Sequence, residues 1–244
     1  MSGLPVIMLP GSLCDERVFA AQVDALDADV SVADLTRFDT IPALAAAVLA
    51  SAPPRFLLAG LSLGGIVATE IARVAADRLA GLALLDTNLG PAPNQQLELR
   101  DRWAQDTRAG HFTTAVAEAF VDQLTADAPS NGELIFEMAM AIGPAAFLRQ
   151  NAAISSRRDL RHVPGRLSAP VLVMNGALDR VCPTSIHDEL MPTLSDGYRI
   201  VVPDAGHLVT IDQPVAASAA LNTWLETCHN KQQQEGNPHE SIPA

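Results

Sequence analysis

The sequence predicts an α/β fold: a mostly parallel central sheet with helices on both faces and a helical cap inserted before the strand that leads to Asp179. Three observations carry this. Short apolar runs of strand length alternate with segments of helical period, which is the rhythm of strand-helix-strand units. The runs are apolar throughout rather than alternating, as strands covered on both faces must be. The rhythm breaks once, between about residues 88 and 165, where only helical periods are found.

Taken in order, Leu4 to Leu9 is an apolar strand stopped by Pro10-Gly11, and the loop Ser12-Leu13-Cys14-Asp15-Glu16 follows. A helix is predicted from about Arg17 to Leu26, a strand near Val30 to Ala33 and a helix near Ile41 to Ala50. Phe56 to Leu61 is the next buried strand, and Leu79 to Leu85 is another, ending at Asp86. The insertion reads as amphipathic helices near Asn94 to Arg108, Phe112 to Asp127 and Asn131 to Ser155. A crossover of that length must carry its own structure. Pro170 to Asn175 resumes the sheet, a helix follows near Thr184 to Leu190, and the last strand is Tyr198 to Val202. A final helix from about Pro214 to Thr227 closes the fold.

The division is therefore a core of residues 1–87 and 166–228, a helical cap of 88–165, and a polar tail of 229–244 expected to be mobile or docked on a neighbour. At 244 residues and 48% hydrophobic, the chain can bury a substantial core. Its formal net charge of -12 offers no basic stripe, so nucleic acid and anionic membranes are not expected partners. No run reaches transmembrane length and no basic leader opens the chain, so a cytoplasmic location is expected. Cys14, Cys182 and Cys228 are far apart and without metal-type spacing, so buried thiols are expected rather than a disulfide, a metal or a cofactor site.

The chemistry centres on Gly60-Leu61-Ser62-Leu63-Gly64, which joins the Phe56 strand to a helix. The pentapeptide is weak by itself; the strand-turn-helix setting gives it weight. So sharp a turn strains the serine backbone and brings the flanking chain close, which hydrogen-sized side chains at Gly60 and Gly64 permit. The helix then starts at Leu63, whose amide points toward whatever Ser62 attacks.

Open parallel sheets put ligands at the carboxyl ends of their strands, and Ser62, Asp86, Asp179 and His207 all follow strands in that direction. A serine needs a base to take its proton, and the base needs a carboxylate to orient it. Ser62, His207 and Asp179 supply that set, with Asp86 as the rival carboxylate. His111, His162, His187, His229 and His239 lack such placement, and Asp204 is so near His207 that a loop role is expected.

The elbow and the chain order Ser62, Asp179, His207 are where residues 4 to 227 resemble the α/β-hydrolase superfamily. Gly176-Ala-Leu-Asp179 with Pro183 resembles its acid loop, and Gly206-His207 with Asp212-Gln-Pro214 its histidine loop. The family commonly begins its oxyanion loop with His-Gly, whereas this chain has Pro10-Gly11-Ser12. By position the Leu63 amide is one oxyanion donor, and the second is the amide of Ser12 or of Leu13. The resemblance implies a serine hydrolase of small, largely apolar carboxylic esters or lactones, acting through an acyl-enzyme and needing no cofactor. Carbon-carbon bond hydrolysis, perhydrolysis and non-catalytic ligand binding occur on the same fold. A dehalogenase would need Asp in place of Ser62. The insertion holds Phe112, Phe120, Phe136, Phe147 and Trp103, so Phe120 and Phe136, with Leu13 and Leu61 beside the elbow and loop, are the candidate substrate contacts.

Overall fold

In the computed structural model, residues 3–125 and 131–236 are described. Six parallel strands form one sheet in the order β2-β1-β3-β4-β5-β6: β1 (Val6–Leu9), β2 (Val30–Val32), β3 (Phe56–Leu61), β4 (Leu79–Leu85), β5 (Val171–Gly176) and β6 (Gly197–Val202). Every pair is parallel, and the register sets Leu9 beside Gly60, Leu61 beside Leu85, Leu85 beside Met174 and Gly176 beside Val202. All the carboxyl ends thus emerge on one edge. The chain winds from β1 to β2 and then returns to place β3 on the other side of β1. That reversal opens a crevice between the loops after β1 and β3, the place where open sheets bind ligands.

The continuous apolar runs are explained by two cores, one on each face. Leu57, Ala59 and Leu61 point into the layer that holds Trp224 and Cys228, while Phe56 and Leu58 point into the layer that holds Leu44, Ile66 and Ile71. The two-residue period of the strand sends alternate side chains to opposite faces, so both sets must be apolar. Helices α1 (Ala20–Ala25) and α9 (Pro214–Gly236) belong to the first layer, and α2 (Ile41–Ser51) and α3 (Leu63–Val74) to the second.

Two segments of the core differ from the sequence reading. The segment from Arg17 begins as a 3-10 turn over Glu16–Phe19, because Asp15 accepts the Arg17 amide at 3.1 Å and tightens the start before α1. The final helix runs past Thr227 to Gly236, so 229–236 is helix rather than a loose tail. Lys231 there donates to Asp196 and to the Ser168 carbonyl, and Lys, Gln and Glu are good helix formers. Residues 237–244 lie outside the described residues.

Between β4 and β5 the chain forms α4 (Asn94–Arg108), a π-helical turn over Thr113–Ala117, α5 (Glu118–Thr125) and α6 (Gly132–Ser155). The expected helix from Phe112 therefore opens with a widened turn, and its predicted end at Asp127 lies outside the described residues. The helix α6 is broken inside: Gly143 has φ 74° and ψ 173°, and Pro144 follows. A proline disfavours helical angles in the residue before it, and only glycine adopts that backbone region without strain. Short connections α7 (Thr184–Leu190) and α8 (Val209–Asp212) complete the order. No helix among the described residues is long and apolar enough to cross a membrane.

Candidate active site

Ser62 stands where β3 passes into α3, with φ 52° and ψ -111°, a strained backbone for a residue with a side chain. The turn is held from both sides: the Ser62 amide donates to the Leu85 carbonyl at 2.9 Å, and its carbonyl accepts the Thr87 hydroxyl at 2.8 Å. A Cβ on Gly60 would lie 2.4 Å from the Gly64 carbonyl oxygen, and one on Gly64 2.0 Å from that of Leu9. Both glycines are thus steric requirements of the elbow.

His207 follows β6 and is buried. Its Nε2 lies 2.9 Å from Ser62 Oγ and its Nδ1 2.9 Å from Asp179 Oδ2. The other oxygen of Asp179 accepts the amides of Val181 and Cys182, each at 2.8 Å. Burial alone would raise the Asp179 carboxyl; the neighbouring His207 and those two amides outweigh it and hold the group below its ordinary range. A carboxylate so held fixes the imidazole with a proton on Nδ1 and leaves Nε2 to accept from the serine.

Asp86, the rival carboxylate, is fully buried at the end of β4. Its oxygens are taken by backbone amides: Gly176 at 2.8 Å and Val209 at 3.0 Å. One carboxyl thereby ties the start of the Asp179 loop to the chain just after His207. Burial, with the Asp179 charge added, pushes it well above the usual carboxylate range. Asp212 braces the histidine loop from the other side, accepting the Gly206 amide at 2.9 Å and the Asn131 side chain at 2.8 Å.

In the loop after β1 the two candidate amides differ in their partners. The Leu13 amide, at φ 57°, donates to Gln150 Oε1 at 3.0 Å, and Ser12 Oγ reaches the same oxygen at 3.3 Å. Among the described residues the Ser12 and Leu63 amides have no hydrogen-bond partner. Gln150, on α6, also donates to the Leu35 carbonyl at 3.2 Å and so pins the loop that a histidine commonly supports. Sequence reasoning missed it, because a glutamine inside a helix carries no local signal for a contact 137 residues away.

Of the candidate substrate contacts, Leu13, Phe120 and Phe136 gather in one apolar cluster with Trp103, Phe112 and Phe147. Leu61 does not join them; it is fully buried in the core layer beneath the site. Asp179, Cys182 and His207 bring one potential metal-ligand atom each within 4.8 Å of one another. Burial pushes the Cys182 thiol well above its ordinary range, and the other two are committed to each other, so the trio is poorly suited to a metal. His187 is buried on α7, and His111 and His162 are exposed.

An open parallel sheet whose third strand ends in a strained serine, with histidine and carboxylate delivered from later strand ends, defines the architecture of an α/β hydrolase. Residues 7–221 match the profile of the alpha/beta hydrolase family. The chain belongs to that family. It is 28% identical over 189 residues to a pimeloyl-[acyl-carrier protein] methyl ester esterase of Edwardsiella ictaluri, covering 71% of this chain and 70% of that one. Its structure resembles a thermophilic esterase from Thermogutta terrifontis, with a TM-score of 0.83 and 28% identity over 93% of this chain and 91% of that one. An enol-lactonase from Burkholderia xenovorans LB400 shares the fold at a TM-score of 0.83 and 21% identity, over 93% of this chain and 92% of that one.

Proposed function

We propose that the protein hydrolyses carboxylic esters or lactones of small, largely apolar substrates through an acyl-enzyme on Ser62. The observation that carries this is the unbroken chain Ser62 Oγ, His207, Asp179, with both hydrogen bonds at 2.9 Å and the serine on a strained elbow. Relatives of similar length that are esterases support the same reading.

Ser62 Oγ attacks the ester carbonyl carbon while its proton passes to His207 Nε2. The carbonyl oxygen gains negative charge and is met by the amides of Ser12 and Leu63, two donors fixed by the fold before any substrate arrives. Collapse expels the alkoxide, which takes the proton from His207 and leaves as the alcohol. Water then gives a proton to His207, attacks the acyl-enzyme and releases the acid, and Ser62 recovers its proton. Asp179 stays ionised throughout and stabilises the imidazolium. The helices of 88–165 act as a cap, with Phe120 and Phe136 facing the acyl chain beside Leu13.

The test is covalent labelling joined to substitution. A fluorophosphonate should add one label, mapped to Ser62, and Ser62→Ala should lose both the label and turnover of a short chromogenic ester, by on the order of 10^6-fold. Its melting temperature should be unchanged or higher, since a strained position is relieved. Retention of more than about a hundredth of the activity would remove Ser62 from the nucleophile role.

A further inference from the structure

The close backbone approach that fixes Gly60 and Gly64 does not involve a side chain, whereas a Cβ on Gly65 would lie 2.6 Å from both the Cβ and the hydroxyl oxygen of Thr87. The first turn of α3 is therefore bare at the point where Thr87 packs on it. Thr87 is 2% exposed, and its hydroxyl donates to the Ser62 carbonyl at 2.8 Å. That carbonyl already accepts the amides of Gly65 at 3.0 Å and Ile66 at 3.3 Å, as the residue before a helix does. A carbonyl oxygen has two lone pairs, so a third donor is not needed to satisfy it.

What the extra bond adds is direction. The Ser62 carbonyl and the Leu63 amide belong to one planar trans peptide unit, so the C=O and N–H bonds point in opposite directions and turn together. A hydroxyl that grips one end of the plane aims the other. The end so aimed is the Leu63 amide, which has no hydrogen-bond partner among the described residues. Thr87 is itself a fixed point. Asp86, immediately before it, gives its amide to the Met174 carbonyl at 2.9 Å and its carboxyl oxygens to the amides of Gly176 and Val209. Those bonds sustain a strained backbone at Asp86, whose φ is 43°. With Leu85 holding the Ser62 amide, three successive residues at and just past the end of β4 tie the serine turn, the acid loop and the histidine loop together.

We propose that Thr87 is a positioning residue for the reaction: its hydroxyl orients the Ser62-Leu63 peptide so that the Leu63 amide is aimed at the developing oxyanion. This rests on the ester-hydrolase reading and adds a residue to its oxyanion machinery. Thr87 touches neither substrate nor reacting atoms and acts through that peptide alone. Its effect therefore belongs to the transition state, where charge collects on the oxygen, and not to ground-state binding.

Thr87→Val keeps the shape of the side chain and removes the donor. Its kcat on a short chromogenic ester should fall about 10- to 30-fold with KM within about twofold, a smaller loss than deleting an oxyanion donor outright. Thr87→Ser, which keeps the hydroxyl and loses only the methyl, should recover most of kcat even where its melting temperature is lower. The second readout is a trifluoromethyl ketone. Ser62 Oγ adds to its carbonyl carbon, the proton passes to His207 Nε2, and the carbonyl electron pair becomes an oxyanion in the hole. Affinity for the ketone should weaken in Thr87→Val by about the same factor as kcat. A Thr87→Val enzyme with wild-type kcat and ketone affinity, whether or not its melting temperature falls, would overturn the positioning role and leave the ester-hydrolase reading intact. Wild type that neither turns over esters nor binds the ketone would overturn both. Should Thr87→Val not fold, Thr87→Ala, which also lacks the donor, decides on the same two readouts.

Discussion

The carboxyl edge of the sheet and the helical segment between β4 and β5 are built on different principles. At the edge, each reactive group is fixed by hydrogen bonds near 3 Å: Ser62 to Leu85, Asp179 to Val181 and Cys182, and Asp86 to Gly176 and Val209. In the helical segment the apolar cluster is held by ring contacts, Trp103 to Phe147 at 6.4 Å between centroids and Phe112 to Phe147 at 5.8 Å. The first kind of contact is directional and tolerates little displacement; the second is roughly proportional to area and can be redistributed. Substitutions at the edge should therefore damage rate, whereas substitutions in the helices should alter which substrate is preferred.

The sharpest test of that contrast is at Asp179. Asp179→Asn should lower kcat on a short chromogenic ester by about 10^4-fold, because an amide favours the wrong imidazole tautomer and cannot stabilise the imidazolium. A loss of less than tenfold would mean that the edge does not work through its directional contacts. Gln150 links the two regions, since it is carried by α6 yet holds the loop after β1. Gln150→Ala should cost about 10- to 100-fold in kcat, because Leu13 regains a free amide and the Ser12 donor loses its fixed position. Unchanged kcat with a raised KM would assign Gln150 to the helical segment's role instead.

Asp86 is the next step down. Asp86→Asn keeps one acceptor oxygen but faces an NH2 group toward a backbone NH, so one loop tie is lost. Turnover should fall about tenfold and the melting temperature by roughly 5 °C. The pH dependence carries a sign. The folded Asp86 carboxyl is raised above its unfolded value, so the native state holds a proton the unfolded chain has released. Its contribution is therefore fully present below the unfolded value, near 3.9, and declines as pH rises toward the folded one. Wild type should accordingly lose stability relative to Asp86→Asn as pH climbs from about 4, measured by denaturant unfolding. A flat difference would mean that Asp86 is ionised alike in both states.

How much was legible in the sequence follows the same division. The elbow was readable because its glycines are demanded by close backbone approach, and the positions of Asp179 and His207 because strands point reactive residues toward one edge. The tie from Gln150, the clamp made by Asp86 and the placement of Leu61 in the core depend on contacts across long stretches of chain, which no local pattern records. The break at Gly143 lay in plain view beside Pro144, yet the apolar period on both sides reads as one continuous helix. The extension of α9 to Gly236 was obscured because its polar composition suits an exposed helix as well as a loose tail.

The smallest expected effect is also the one that defines the helical segment. Phe136 is partly buried against the cluster that contains Leu13, and the proposed function makes it a contact of the acyl chain as well as of its neighbours. Phe136→Ala removes a ring from that wall without touching a hydrogen bond of the edge. The acetyl ester, too short to reach the wall, should keep its kcat/KM within about twofold, whereas a hexanoyl or octanoyl ester should change by about three- to tenfold, one or two methylenes' worth of contact. A series from acetyl to octanoyl esters measures this as a change of slope with chain length. If all esters lose activity by the same factor and the melting temperature falls, Phe136 only packs the helices together. A slope that bends at one chain length would instead locate the depth at which the acyl chain meets Phe136.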